Sequence, residues 1–135
     1  MPKILVVDDE EDQEELIRQR LMNKPFLREY EFVFVRNGLQ AFQKIKEQPD
    51  IEIVLMDINM PEMDGFTLLQ KIKAINPLLS TIFISAYDDD ANISQGLSFG
   101  AFEFINKPID FKLLEGTLKR IIIHIGQLKH SRVVK

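Results

Sequence analysis

The chain has 135 residues, 45% of them apolar and 28% charged, with a formal net charge of −4. That suffices for one core in one domain and fits neither a disordered nor a fibrous chain. The acidic balance argues against nucleic-acid binding, which needs clustered Lys and Arg. The absence of cysteine removes disulfides, thiolate metal centres and thiol catalysis. No apolar run approaches the ~18 to 20 residues that span a bilayer, and the N-terminus carries no signal-peptide core. No membrane contact and a cytoplasmic location are the expectations.

In chain order, a strand at 3–7 (Lys-Ile-Leu-Val-Val) runs into Asp8-Asp9-Glu10, and a helical pattern covers 12–23. A strand at 31–35 follows, broken by Asn37-Gly38, then a helix over 39–47. The apolar run 53–56 ends abruptly on Asp57, ahead of Pro61 and Gly65. Phe66, Leu68, Leu69, Ile72 and Ile75 then show the spacing of a core-facing helix stripe over 66–75. Asn76-Pro77 precedes a strand at 81–85, a helix at 90–99, a strand at 103–105 and a last helix from about residue 110. Five strand–helix units predict an α/β fold: a doubly wound five-stranded parallel sheet with five flanking helices, since parallel strands require crossovers.

Open parallel sheets bind ligands beyond the carboxyl ends of their strands. Asp8 and Asp9 follow the first strand, Asp57 the third, Ser85 closes the fourth and Lys107 follows the fifth, so all five polar groups share one edge. Crowded carboxylates repel unless one is protonated or a cation intervenes. A donor set of oxygens without His or Cys favours a hard cation, Mg²⁺. Asp8, Asp9 and Asp57 supply three negative charges, which Mg²⁺ and Lys107 balance. An acyl phosphate on Asp57 adds roughly one more negative charge. A carboxylate attacking a phosphoryl donor is an established form of covalent catalysis.

The set Asp8-Asp9, Asp57, Ser85-Ala86 and Lys107-Pro108 resembles, in order and spacing, the receiver domain of two-component response regulators. The resemblance covers residues 3–125 and implies the flavodoxin-like strand order 2-1-3-4-5. It also implies that Asp57 accepts a phosphoryl group from a histidine kinase or phosphotransfer protein, in a chain that modifies itself without turning over a separate substrate. Asp9 and Asp57 would ligate Mg²⁺, with Asp8 acting through water and Asn59 lending its backbone carbonyl. Lys107 and the Ser85 hydroxyl would hold the phosphoryl oxygens, and Phe104 would be the aromatic switch that answers Ser85. The surface of helix four, strand five and helix five would change and meet a partner, an output domain or a second copy of the chain.

Ser85 stands where many members carry Thr, and Phe104 where Tyr is frequent. Tyr87 occupies a position that tunes access of water to the acyl phosphate, and its ring is expected to slow hydrolysis. Asp88-Asp89-Asp90 read as caps and dipole partners of the fourth helix. An X–Pro bond such as Lys107-Pro108 is trans by default, although the family often has it cis. Two other functions fit poorly. An aspartate-nucleophile phosphatase wants a second acid two residues after its nucleophile, where Asn59 stands; a nucleotide or flavin carrier wants a Gly- or Ser/Thr-rich loop where the acid run lies. In the last helix, Leu114, Leu118, Ile121, Ile125 and Leu128 form about two heptads, short of a coiled coil. The expectation is a stripe packed on the sheet that then frays, with 1–125 as the receiver unit and 126–135 as an extension or tail. The alternative is a dimer contact or a helix leading to an output domain.

Overall fold

The structure, a computed structural model, describes residues 1–60, 62–86 and 90–134, the side chains of 90 and 130–134 excepted. Five strands, β1 (Lys3–Val7), β2 (Glu31–Val35), β3 (Ile51–Met56), β4 (Ser80–Ser85) and β5 (Glu103–Asn106), alternate with five helices. The helices are α1 (Glu11–Leu21), α2 (Gly38–Glu47), α3 (Gly65–Ile75), α4 (Asp90–Ser98) and α5 (Phe111–Val134). All strand pairs are parallel and the order is β2-β1-β3-β4-β5, as expected. Tyr87 and residues 88 and 89, to which a kinetic role and capping roles were assigned, lie outside the described residues.

Alternate side chains of each strand feed two cores. One face packs Ile4, Val6, Ile53, Leu55, Ile82 and Ile84 against α1 and α5. The other packs Leu5, Val7, Val54, Met56 and Phe83 against α2 and α3. Burial on both faces explains the continuous apolar runs. Helix starts are fixed by side chains that accept from open backbone N–H groups. Asn37 Oδ1 caps α2 through Gln40 N at 2.8 Å, Asp64 Oδ1 caps α3 through Thr67 N at 2.8 Å, and Asp110 Oδ1 serves Lys112 N and Leu113 N at 3.1 and 3.2 Å. Glu10, the cap residue of α1, makes no such side-chain bond.

Several boundaries differ from the sequence reading for physical reasons. β3 begins at Ile51, since Glu52, which interrupts the apolar run, is held by the Tyr30 hydroxyl at 3.1 Å and by Lys129 at 2.8 Å. A 3-10 turn at Pro25–Leu27, with Pro at its start, went unanticipated. Ile75 ends the α3 stripe 46% exposed, while Leu68, Leu69 and Ile72 are fully buried. The Lys107–Pro108 bond is cis rather than the default trans. α5 is continuous over 24 residues, about 36 Å. Of its five heptad residues, Leu114, Leu118, Ile121 and Ile125 pack in the core against the sheet, and the helix runs on past them to Val134. Of Ile121-Ile122-Ile123, Ile123 alone is exposed, at 61%.

Candidate functional site

Backbone ladders carry each functional group one step past its strand. Asp8 N–H donates to Val35 O at 3.1 Å, Asp57 N–H to Val7 O at 3.4 Å and Lys107 N–H to Ser85 O at 3.0 Å. The parallel register therefore brings residues from three distant stretches to one edge. Lys107 Nζ reaches Asp57 Oδ2 at 2.8 Å, Asp8 Oδ2 at 3.4 Å and Glu10 Oε1 at 3.4 Å. Asp8 and Asp57 are each 7% exposed, whereas Asp9 and Glu10 lie open to solvent. The cavity lined by Asp8, Gln13 and Asp57 measures about 10 Å³, room for at most one water.

Each Asp57 oxygen has a donor: Oδ1 accepts from Asn59 N–H at 3.1 Å, and Oδ2 from Lys107. Asp8 Oδ1 accepts from Glu10 N–H at 2.8 Å. Burial, with a smaller push from the charge of Asp57, holds the Asp8 carboxyl above its usual range against the opposing pull of Glu10 N–H and Lys107. For Lys107 burial alone would lower the pKa, but the bond to Asp57 and the charges of Asp8, Asp57 and Glu10 outweigh it and hold the ammonium above the normal lysine range. One cation is thus shared by three carboxylates.

The carboxylate oxygens of Asp8, Asp9 and Glu10 lie within 4.8 Å of one another. This all-oxygen set suits a hard divalent cation. Asp57 lies alongside through Lys107 rather than within that group. Glu10 is the member to which the sequence reading gave no role; an acid at a cap position that it does not cap was the available signal. Asn59 is placed by its backbone against Asp57. Ser85 is fully buried at the end of β4.

Phe104, partly buried, pairs in register with Phe83 of β4, their ring centroids 6.1 Å apart. Phe83 is fully buried, and its ring meets Phe66 edge-on at 5.3 Å. The chain touches this ring through two glycines: a Cβ on Gly96 would come to 3.1 Å from it, and one on Gly65 to 2.8 Å. The same Cβ on Gly65 would stand 2.5 Å from the Asp57 carbonyl oxygen. One bare backbone position therefore separates the acid from the aromatic cluster under α4.

A family model described as response regulator receiver domain matches residues 4–119. The Transcriptional regulatory protein ZraR of Escherichia coli (strain K12) is 33% identical over 121 residues, spanning 90% of this chain and 26% of that protein. Sporulation initiation phosphotransferase F of Bacillus subtilis (strain 168) is 34% identical over 122 residues, spanning 89% of this chain and 93% of the relative. The chain thus spans about a quarter of the transcriptional regulator and nearly all of the phosphotransferase. The crystal structure of a response regulator receiver domain protein from Clostridium thermocellum matches with a TM-score of 0.84 at 26% identity, covering 95% of this chain and 99% of that one.

Proposed function

The chain belongs to the response regulator receiver domain family, and from that premise we propose that Asp57 is the phosphoryl acceptor of a two-component phosphorelay. The observation that carries this reading is the Lys107 ammonium shared between Asp57 and Asp8 at the strand ends. An oxygen of Asp57 forms the new O–P bond while the N–P bond of a donor phosphohistidine breaks, the electron pair leaving with the imidazole nitrogen. The Asn59 N–H fixes Oδ1 and so the plane of the carboxylate. Lys107 turns from Oδ2 to the phosphoryl oxygens, and the Ser85 hydroxyl joins it there. Asp8, Asp9, Asp57 and the Asn59 carbonyl are the residues that would hold Mg²⁺, which supplies charge compensation for the transferring oxygens. The chain acts on itself as a signalling acceptor and has no separate substrate.

Phosphorylation shifts a pre-existing equilibrium. Phe104 packs further inward when Ser85 engages the phosphoryl group, and the face of α4, β5 and α5 is remodelled. The partners are a histidine kinase or phosphotransfer protein on the input side and a partner, output domain or second copy of the chain on the α4-β5-α5 face. Exposed Leu97 and Leu113, at 45% and 49%, offer apolar contact on those two helices. Residues 1–125 form the receiver unit, with 126–135 as an extension or tail. Among the described residues no helix is long and apolar enough to cross a membrane, which accords with a cytoplasmic setting.

Incubation with acetyl phosphate or beryllofluoride and Mg²⁺, wild type against Asp57→Asn, tests the reading. The wild type gains one Mg²⁺-dependent phosphoryl group, or the beryllofluoride-bound conformation, and the variant gains neither. A wild type inert to both reagents overturns it.

A further inference from the structure

Glu10 occupies the cap position of α1, with extended backbone at φ −98° and ψ 117°. Ser, Thr, Asp and Asn serve best there, because a short side chain can accept from the open N–H groups of the first turn. The caps of α2, α3 and α5 follow that rule with Asn37, Asp64 and Asp110. Glu10 departs from it. Its backbone begins the helix, its carbonyl accepting from Gln13 N–H and Glu14 N–H at 3.2 and 3.4 Å. Its carboxylate instead reaches Lys107, 97 residues away in sequence, at 3.4 Å. The same carboxylate stands in the oxygen group with Asp8 and Asp9.

From this geometry we infer that Glu10 is a positioning residue that holds Lys107 back from the phosphoryl position and adds a fourth carboxylate to the surroundings of the divalent cation. The inference rests on the proposed phosphoryl transfer to Asp57 and adds a regulating group to it. With Glu10 counted, Asp8, Asp9, Glu10 and Asp57 bring four negative charges against the three positive charges of Lys107 and Mg²⁺, leaving −1 before modification and about −2 after it. An anionic donor meets a site that is already negative. The arriving phosphoryl group must also draw Lys107 from Glu10. Glu10 therefore acts in opposite directions on two steps: it favours the divalent cation and opposes the phosphoryl group.

That opposition is what the experiment reads. One unit charge acting over ~5 Å through a solvent-rich medium changes an equilibrium about fourfold, and more for a doubly charged ion. Glu10→Gln is expected to raise the Mg²⁺ dissociation constant about fourfold or more, measured by calorimetry or amide chemical shifts because the chain has no tryptophan. At saturating Mg²⁺ the same variant is expected to take up phosphoryl from acetyl phosphate two- to fourfold faster. Glu11→Gln is the control, removing an equal charge one residue along, in the first turn of α1. It should leave the rate near wild type and move the Mg²⁺ affinity less. Glu10→Asp serves as the second variant: it keeps the charge, is too short for Lys107 and can cap α1, so the rate should rise less than for Glu10→Gln. If the wild type is phosphorylated but Glu10→Gln moves neither quantity, moves both the same way, or is matched by Glu11→Gln, the inference is overturned. A wild type that takes up no phosphoryl group overturns the acceptor reading instead.

Discussion

Gly65→Ala makes the sharpest test of how the site is seated. An added Cβ would lie 2.5 Å from the Asp57 carbonyl oxygen, 2.8 Å from Phe83 Cε1 and 2.9 Å from Ile58 Cα. Two of these three neighbours are backbone, and normal separations run to about 3.5–4.0 Å between carbons. The start of α3 must therefore back away by most of an ångström. That strains the 2.7 Å bond from Gly65 N–H to Ile58 O. Overpacking of this kind costs about 1–3 kcal/mol, and a weakened backbone bond about 1 more. The better helix propensity of Ala returns at most ~1 kcal/mol. The net is a loss of about 1–3 kcal/mol, or roughly 3–5 °C in melting temperature per kcal/mol for a chain of this size. Gly116→Ala is the counterpart, because nothing lies within 4 Å of its added Cβ on exposed α5. It should gain up to ~1 kcal/mol. Thermal and urea unfolding by circular dichroism give both values. Because Gly65 abuts Asp57, uptake of phosphoryl from acetyl phosphate should also slow in the first variant and stay unchanged in the second. A Gly65→Ala protein as stable as wild type and equally quick would refute the reasoning.

Three further outcomes follow from the charges. Lys107→Met leaves Asp8 and Asp57 facing each other without their cation and should cost about 2–3 kcal/mol, below the 3–5 of a fully enclosed pair because the site opens to solvent. Since the Lys107 pKa is raised, its stabilisation is complete below the ordinary value of 10.5 and is lost only as pH climbs through the raised one. Urea titrations should thus show a constant gap between wild type and variant from about pH 7 to 10, narrowing beyond. For Asp8, whose carboxyl is held above 3.8 mainly by burial, the folded state binds the proton more tightly than the unfolded chain, so stability falls as pH rises through the window above 3.8. Asp8→Asn keeps the acceptor for Glu10 N–H and should unfold at higher urea than wild type near neutral pH, the difference vanishing in acid. Mg²⁺ at ten times its dissociation constant should stabilise the wild type by about 1.4 kcal/mol; a melting temperature indifferent to Mg²⁺ would exclude the metal role of these acids.

Most of the architecture could be read from the chain because its signals were local. Apolar runs ending on Asp8, Asp57 and Ser85 fixed where the strands stop, and parallel alignment then put the acids together. What escaped was set by partners far away in sequence. The expected strand began at Ile53, whereas Glu52, held by Tyr30 and Lys129, lies inside β3. Glu10 drew no role because nothing nearby in sequence points to Lys107. The sequence marked Gly65 only as a residue following Asp57, whereas the close approach of α3 to Asp57 and Phe83 demands a bare backbone there. The heptads of α5 carried two meanings, and the sheet contacts account for the stripe as far as Ile125.

Lys107 stands 50 residues from Asp57 and 99 from Asp8 in sequence, and it arrives on β5, a four-residue edge strand that pairs with β4 alone. No fragment lacking that strand can bring Lys107 to Asp57 and Asp8. On the proposed reading, uptake of a phosphoryl group would double as a report that the chain has closed its last strand. Because Ile105 of the same strand and the α5 stripe that follows it sit in the core, the edge that delivers Lys107 is tied to the packing of the whole domain.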